Sequence, residues 1–168
     1  MELQVSDLTS RIHKDSLLEK IKSEETNFHK LLQWSLLDEQ PLAWRATWLL
    51  RQITAKNDSR IALVISKVIA GYPGFNHSQR REWLKLLSNQ NFTEEQEGEL
   101  YDLCLSEWKN IANQPALRAS AIDLLFTILK KYPELTNELA HLMTSDYLDA
   151  LSPGIKKGVV KQWNHFSA

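Results

Sequence analysis

Four basic residues, Arg45, Arg81, Arg118 and Lys156, recur at separations of 36, 37 and 38 residues. A spacing this regular implies one supersecondary unit used repeatedly, and it constrains the fold more than any single motif. The strongest copy is Gln40-Pro41-Leu42-Ala43-Trp44-Arg45-Ala46-Thr47-Trp48-Leu49-Leu50-Arg51. Pro41 suits a first helical turn, where the missing N–H is not needed and φ is already set. Leu42, Ala46, Leu49, Leu50 and Ile53 then fall at i, i+4, i+7, i+8 and i+11, one apolar face of a helix. Gln114-Pro115-Ala116-Leu117-Arg118 repeats the design, and Ser152-Pro153-Gly154-Ile155-Lys156 does so more loosely. Asn76-His77-Ser78-Gln79-Arg80-Arg81 lacks the proline but leads into Trp83, Leu84, Leu86 and Leu87. An amide stands five residues before three of the basic residues, at Gln40, Asn76 and Asn113.

The intervening segments read as partner helices. Residues 6–22 carry a ragged apolar face and suit an N-terminal cap, since a terminal repeat needs one polar side. Phe28, Leu31, Leu32 and Ser35 mark a helix through Leu37, and Asp38-Glu39-Gln40 is long enough to turn the chain back. Residues 60–70 are apolar nearly all round, which predicts a helix buried on several sides, and Gly71-Tyr72-Pro73-Gly74 ends it. Thr93 followed by Glu94, Glu95 and Gln96 is an N-terminal capping signature for a helix to about Lys109. The Pro115 helix runs to Lys131, residues 134–147 form another outer helix, and 153–165 close the series. The expected fold is an all-α superhelix of about four helix pairs plus a capping helix, in one domain over residues 1–168.

At this point the chain resembles the HEAT repeat family, whose second helix opens with a proline and carries an arginine a few residues on. Pro41, Pro115 and Pro153 match the proline; Arg45, Arg81 and Arg118 match the arginine, with Lys156 in its place in the last copy. The family places an aspartate in the turn before the arginine, and Asp38 is the residue here that could serve Arg45. The resemblance covers most of residues 27–163 and implies an α-α solenoid. It is almost silent on function.

At 168 residues, the chain buries roughly 70% of the surface its unfolded form exposes, so folding needs neither disulfide nor metal. Cys104 is the only cysteine and sits in an apolar helical run, which fits a buried thiol and a reducing compartment. No basic-then-apolar leader and no run of about 18 apolar residues is present, so a cytoplasmic chain is expected. Net charge is −1, yet residues 41–92 carry eight basic and two acidic side chains between two acidic segments. A basic middle between acidic ends is the one charge asymmetry in the chain that bears on function.

Trp44, Trp48 and Arg51 lie at i, i+4 and i+7, roughly opposite the Leu42/Ala46/Leu49 face. Two readings stay open. Tryptophans on a solenoid helix pack between repeats, being highly buried on average. Alternatively Trp44, Arg45, Trp48, Arg51, Arg80 and Arg81 form one basic aromatic contact surface, since tryptophan and arginine are enriched at binding hot spots.

That second arrangement is similar to the basic concave surface of HEAT-like alkylpurine DNA glycosylases, which also place a carboxylate near the scissile bond. Asp123 is the one acid on the inner helices with a polar face around it, and no catalytic role is assigned to it. The histidines are scattered with no metal-ligand spacing, and no phosphate loop or nucleophile motif occurs. The expectation is therefore a non-catalytic binding or scaffold module without cofactor or metal. Its concave face would take a protein segment. The alternatives are a nucleic-acid-binding protein related to those glycosylases and a homo-oligomer joined through the basic band.

Overall fold

The computed structural model describes residues 1–168, and every regular element in it is helical. Its contacts fall into two units, residues 1–91 and 92–168. No helix is long and apolar enough to cross a membrane.

The first unit contains α1 (Val5–Thr9), α2 (Lys14–Lys22), α3 (Glu25–Ser35), α4 (Leu42–Ile53), α5 (Ser59–Ala62), α6 (Ile65–Gly71) and α7 (His77–Leu87). Helix α4 packs against α3 and α7, and α1 and α2 also lie against it. Its buried face holds four of the five expected residues, Leu42, Ala46, Leu49 and Leu50, with Ile53 only half-buried and Ala43 adding a small buried residue. Pro41 stands one position earlier than expected, as the N-cap residue, and its carbonyl accepts the Arg45 N–H at 3.2 Å.

Buried polar side chains stitch these helices together. Gln79, fully buried on α7, donates from Nε2 to the Ser35 carbonyl at 2.8 Å and the Leu37 carbonyl at 3.1 Å. The Trp83 indole N–H donates to the same Ser35 carbonyl at 3.2 Å. The Ser35 carbonyl ends α3 and has no partner within its own helix, while Leu37 lies just past the helix end. Gln79 Oε1 also accepts from Gln40 Nε2 at 2.9 Å. Gln90 plays the corresponding part after α7, accepting from the Asp58 N–H at 2.9 Å and donating to the Ala55 carbonyl at 3.0 Å. Asn27 holds the N-terminal strap, accepting from the Leu3 N–H at 2.8 Å and donating to the Met1 and Lys20 carbonyls, each at 2.9 Å.

The second unit contains α8 (Glu94–Lys109), α9 (Pro115–Leu129), α10 (Thr136–Ala140), α11 (Ser145–Leu148) and α12 (Pro153–Ser167). Helix α9 packs against α8 and α12. The capping box at Thr93 and Gln96 forms as the sequence implies, and Pro115 and Pro153 each open their helix. Arg118 is buried: Nε donates to the Trp108 carbonyl at 3.0 Å, Nη2 to the Tyr147 carbonyl at 2.8 Å, and the guanidinium lies 4.5 Å from the Trp108 ring centre.

Three helices expected to be continuous are broken. The 6–22 segment is interrupted over Ser10–His13, where Ser10 is extended and α2 starts afresh. The 60–70 segment breaks at Leu63–Val64, and Leu63 is 82% exposed. Only Ile61, Ile65 and Val68 of this stretch are buried, a single stripe rather than an all-round apolar surface. The 134–147 segment divides into a 3₁₀ turn, α10 and α11, because Leu139 and Leu142 are its only buried side chains and one short face cannot hold a long helix.

Candidate functional site

The repeating basic residues are held by contacts within the fold, some of them to neighbouring repeats. Arg45 Nη1 donates to the Leu8 carbonyl of α1 at 2.8 Å and makes no bond to Asp38. Lys156 pairs with Asp149 of the preceding turn. Together with buried Arg118, these contacts make the arginine column mainly an internal brace. A continuous aspartate-to-arginine ladder is absent: backbone carbonyls serve Arg45 and Arg118, while Arg81 pairs with Glu82 and Lys156 with Asp149.

The tryptophans behave differently. Trp44 and Trp48 are half-buried on α4 and line a groove of about 650 Å³ in the first unit. The Ser10–Ile12 link forms one wall, and Arg81, Glu82 and Lys85 of α7 form the other. Leu8, Leu17 and Leu49 supply apolar lining. The surface is thus neither a fully packed repeat interface nor a flat exposed patch.

Cations dominate this groove. Six line it, Arg11, Lys14, Arg45, Arg51, Arg81 and Lys85, against the carboxylates of Asp7 and Glu82. Both carboxylates are engaged. Asp7 accepts from Lys20 Nζ at 2.6 Å and from the Gln4 N–H at 2.7 Å. Burial pushes the Asp7 carboxyl upward, but those two bonds and the Lys20 charge outweigh it and hold it below the ordinary value. Glu82, nearly fully buried, accepts from Arg51 Nε at 2.5 Å and from Arg81 Nη2 at 3.3 Å. Lys14 Nζ lies 5.3 Å from the Trp48 ring centre and donates to Gln52 Oε1 at 3.1 Å. The Arg45 guanidinium lies 5.8 Å from the Trp44 ring centre. Two aromatic faces are therefore already dressed with positive charge.

Of the six expected contact residues, the fold brings together Trp44, Arg45, Trp48, Arg51 and Arg81. Arg80 is placed elsewhere: Nη2 donates to the Pro73 carbonyl at 2.8 Å, and the guanidinium lies 5.2 Å from the Tyr72 ring. It neighbours Arg81 in sequence, but a helix turns adjacent side chains about 100° apart. Sequence reasoning missed Arg11, Lys14, Glu82 and Lys85. Lys85 had a signal, lying four residues beyond Arg81 on one helix face. Arg11 and Lys14 had none, because the helix break that aims them was not foreseen.

The remaining chemistry is sparse. No group of three or more histidine, cysteine, aspartate or glutamate side chains is placed to hold a metal ion. Cys104 is fully buried, and burial together with the Glu107 charge raises its thiol pKa well above the ordinary range. Asp123 lies in the second unit, where it accepts from Gln162 Nε2 at 3.0 Å.

No curated protein and no solved structure matches the chain. The HEAT repeat domain profile matches residues 2–163, nearly the whole length. The proline-opened helices, the recurring basic residue and this match agree, and the chain belongs to the HEAT repeat family.

Proposed function

We propose that the protein is a non-catalytic binding module that takes an acidic segment of a partner protein into the Trp44/Trp48 groove. HEAT repeats commonly serve as helical protein-interaction scaffolds. The observation carrying the finer reading is the imbalance of six cations over two engaged carboxylates around two half-buried tryptophans. Tryptophan offers large contact area, and the surrounding cations steer an acidic chain toward it. A protein partner is favoured over nucleic acid because the net charge of the chain is −1 and non-specific nucleic-acid affinity rests on many phosphate contacts. The absence of a spanning helix and the single buried cysteine support a cytoplasmic site of action.

The test is fluorescence anisotropy with labelled oligoglutamate and a labelled single-stranded oligonucleotide at several salt concentrations. Oligoglutamate binding that is lost in the Trp48→Ala/Arg51→Gln double variant, with helicity retained, supports the reading. Unchanged binding in that variant removes the groove from consideration. Oligonucleotide binding that is tighter and steeply salt-dependent favours the nucleic-acid alternative, and salt-sensitive growth in size of the protein alone favours self-association through the basic band.

A further inference from the structure

We propose that Arg51 and Arg81, braced by Glu82, form a phosphate subsite in the groove, so that the segment bound there is a phosphorylated one. The inference rests on the reading of the groove as a protein-binding site and specifies its partner.

The two arginines come from different helices and meet on one carboxylate. Glu82 is 3% exposed at its side chain, and it accepts Arg51 Nε through one oxygen and Arg81 Nη2 through the other. Each guanidinium spends one donor on this bond and has five. The terminal nitrogens of Arg51 have no further partner; Arg81 Nε is buried, so Arg81 can present only its terminal nitrogens to the groove. Both side chains stay about 30% exposed at the groove wall, 30% for Arg51 and 31% for Arg81. Two planar forks held in place by a buried carboxylate are already ordered before a ligand arrives. Little side-chain freedom is then lost on binding, and bidentate recognition of an oxyanion follows from the guanidinium shape.

Charge balance separates a phosphate from a carboxylate. Asp7 is committed to Lys20, and Glu82 to the arginines, so the groove keeps a surplus of positive charge. One incoming carboxylate offsets a small part of it. A phosphate monoester brings roughly −1.5 to −2 charges and three acceptor oxygens to the same point. Arg11 and Lys85, exposed at the rim and free of ion pairs, are placed for acidic residues beside the phosphate. Recognition of phosphorylated and acidic motifs by arginine clusters is a recurring mode.

A nucleic-acid strand fits the same cations less well. A strand needs positive charge repeated along its track and free aromatic faces for its bases. Here six cations ring one groove. Arg60 is committed to Asp58 and Glu25, and Arg80 to the Pro73 carbonyl. Lys14 and Arg45 already lie over the Trp48 and Trp44 rings, where bases would stack.

The experiment is retention of the purified protein on a bead-bound degenerate phosphoserine peptide library and on the same library carrying serine, with an immobilised oligonucleotide as the third surface. The phosphoserine library should retain the protein roughly tenfold more tightly, the scale of one added charge-assisted hydrogen-bond pair. Arg51→Lys keeps the charge and loses the fork, and should abolish the phosphate preference while weak acidic-peptide binding persists. Arg81→Lys serves as the second variant if Arg51→Lys lowers the melting temperature. Equal retention on the two peptide libraries, dependent on Trp48, overturns the phosphate subsite and leaves the groove reading standing. A preference that survives both lysine variants overturns the assignment to these arginines. Retention on neither library, or on the oligonucleotide alone, overturns the subsite and the groove reading together.

Discussion

Arg51 on α4 and Glu82 on α7 are joined by a 2.5 Å bond from Nε to Oε2, which spans two neighbouring inner helices of the repeat. The pair links packing to function, because Glu82 is buried while Arg51 opens onto the groove. Removing Arg51 as Arg51→Met leaves Glu82 with the longer 3.3 Å contact from Arg81 as its remaining ion pair. The expected loss is about 2 kcal/mol, within the range for stranding a buried polar partner. Urea unfolding of the protein measures it, and a loss under about 0.5 kcal/mol, the ordinary range for surface changes, shows that the bond is not structural.

Gln79 should cost more than its single amide suggests. Its Nε2 serves the Ser35 and Leu37 carbonyls, and its Oε1 receives Gln40. Gln79→Leu is close in volume but supplies no donor, leaving the Leu37 carbonyl without this partner and Ser35 with Trp83 alone. The expected destabilisation is about 1–3 kcal/mol. Gln79→Glu should also destabilise, since it replaces the donor with a charge facing two carbonyls. Denaturant midpoints of the two variants check the pair.

Acid sensitivity has a defined origin. Asp58 is held below its ordinary pKa of 3.8, first by its hydrogen bonds from the Arg60 side chain, against an opposing push from burial. A depressed carboxyl adds stability that is fully present above the unfolded value. That stability fades as pH falls through the lower folded value. Unfolding free energy should therefore be flat with respect to this group at neutral pH and fall below about pH 4. Asp58→Asn keeps a competent N-cap and should flatten that acid limb. An unchanged slope in the variant assigns the acid transition to other carboxylates.

Cys104 should be unreactive in the folded protein. It is fully buried, and its thiol pKa is raised by burial and by Glu107. Labelling by a thiol reagent at neutral pH should be negligible without denaturant and rapid in urea. Fast labelling under native conditions contradicts the packing of α8.

The architecture was legible because repeats announce themselves by spacing. The helices opened by Pro115 and Pro153 and the Thr93 capping box come from local chemistry and appear where the sequence places them, while Pro41 stands one position early as an N-cap. The breaks at Ser10–His13, Leu63–Val64 and His141–Thr144 were not legible. They depend on how much of each face finds a neighbour, as the exposure of Leu63 shows. The stitches through Asn27, Gln79 and Gln90 were missed for a related reason. A buried amide looks like any surface amide until the carbonyls it serves are known. Helical spacing found Trp44, Trp48 and Arg51 together, but it could not say that Arg80 turns to Pro73. Nor could it show that Arg11 and Lys14 reach the groove from a different helix pair.

The most direct measurement is a proton–nitrogen correlation spectrum of the protein titrated with oligoglutamate. The chain has six tryptophans, and Trp83 and Trp108 are fully buried with their indole N–H groups bonded to carbonyls. The account predicts that the Trp44 and Trp48 indole signals move progressively with ligand, together with amides of α4 and of Arg81 to Lys85. Those of Trp83 and Trp108 should stay still. A titration that leaves Trp44 and Trp48 unmoved, or that moves only residues 92–168, contradicts it.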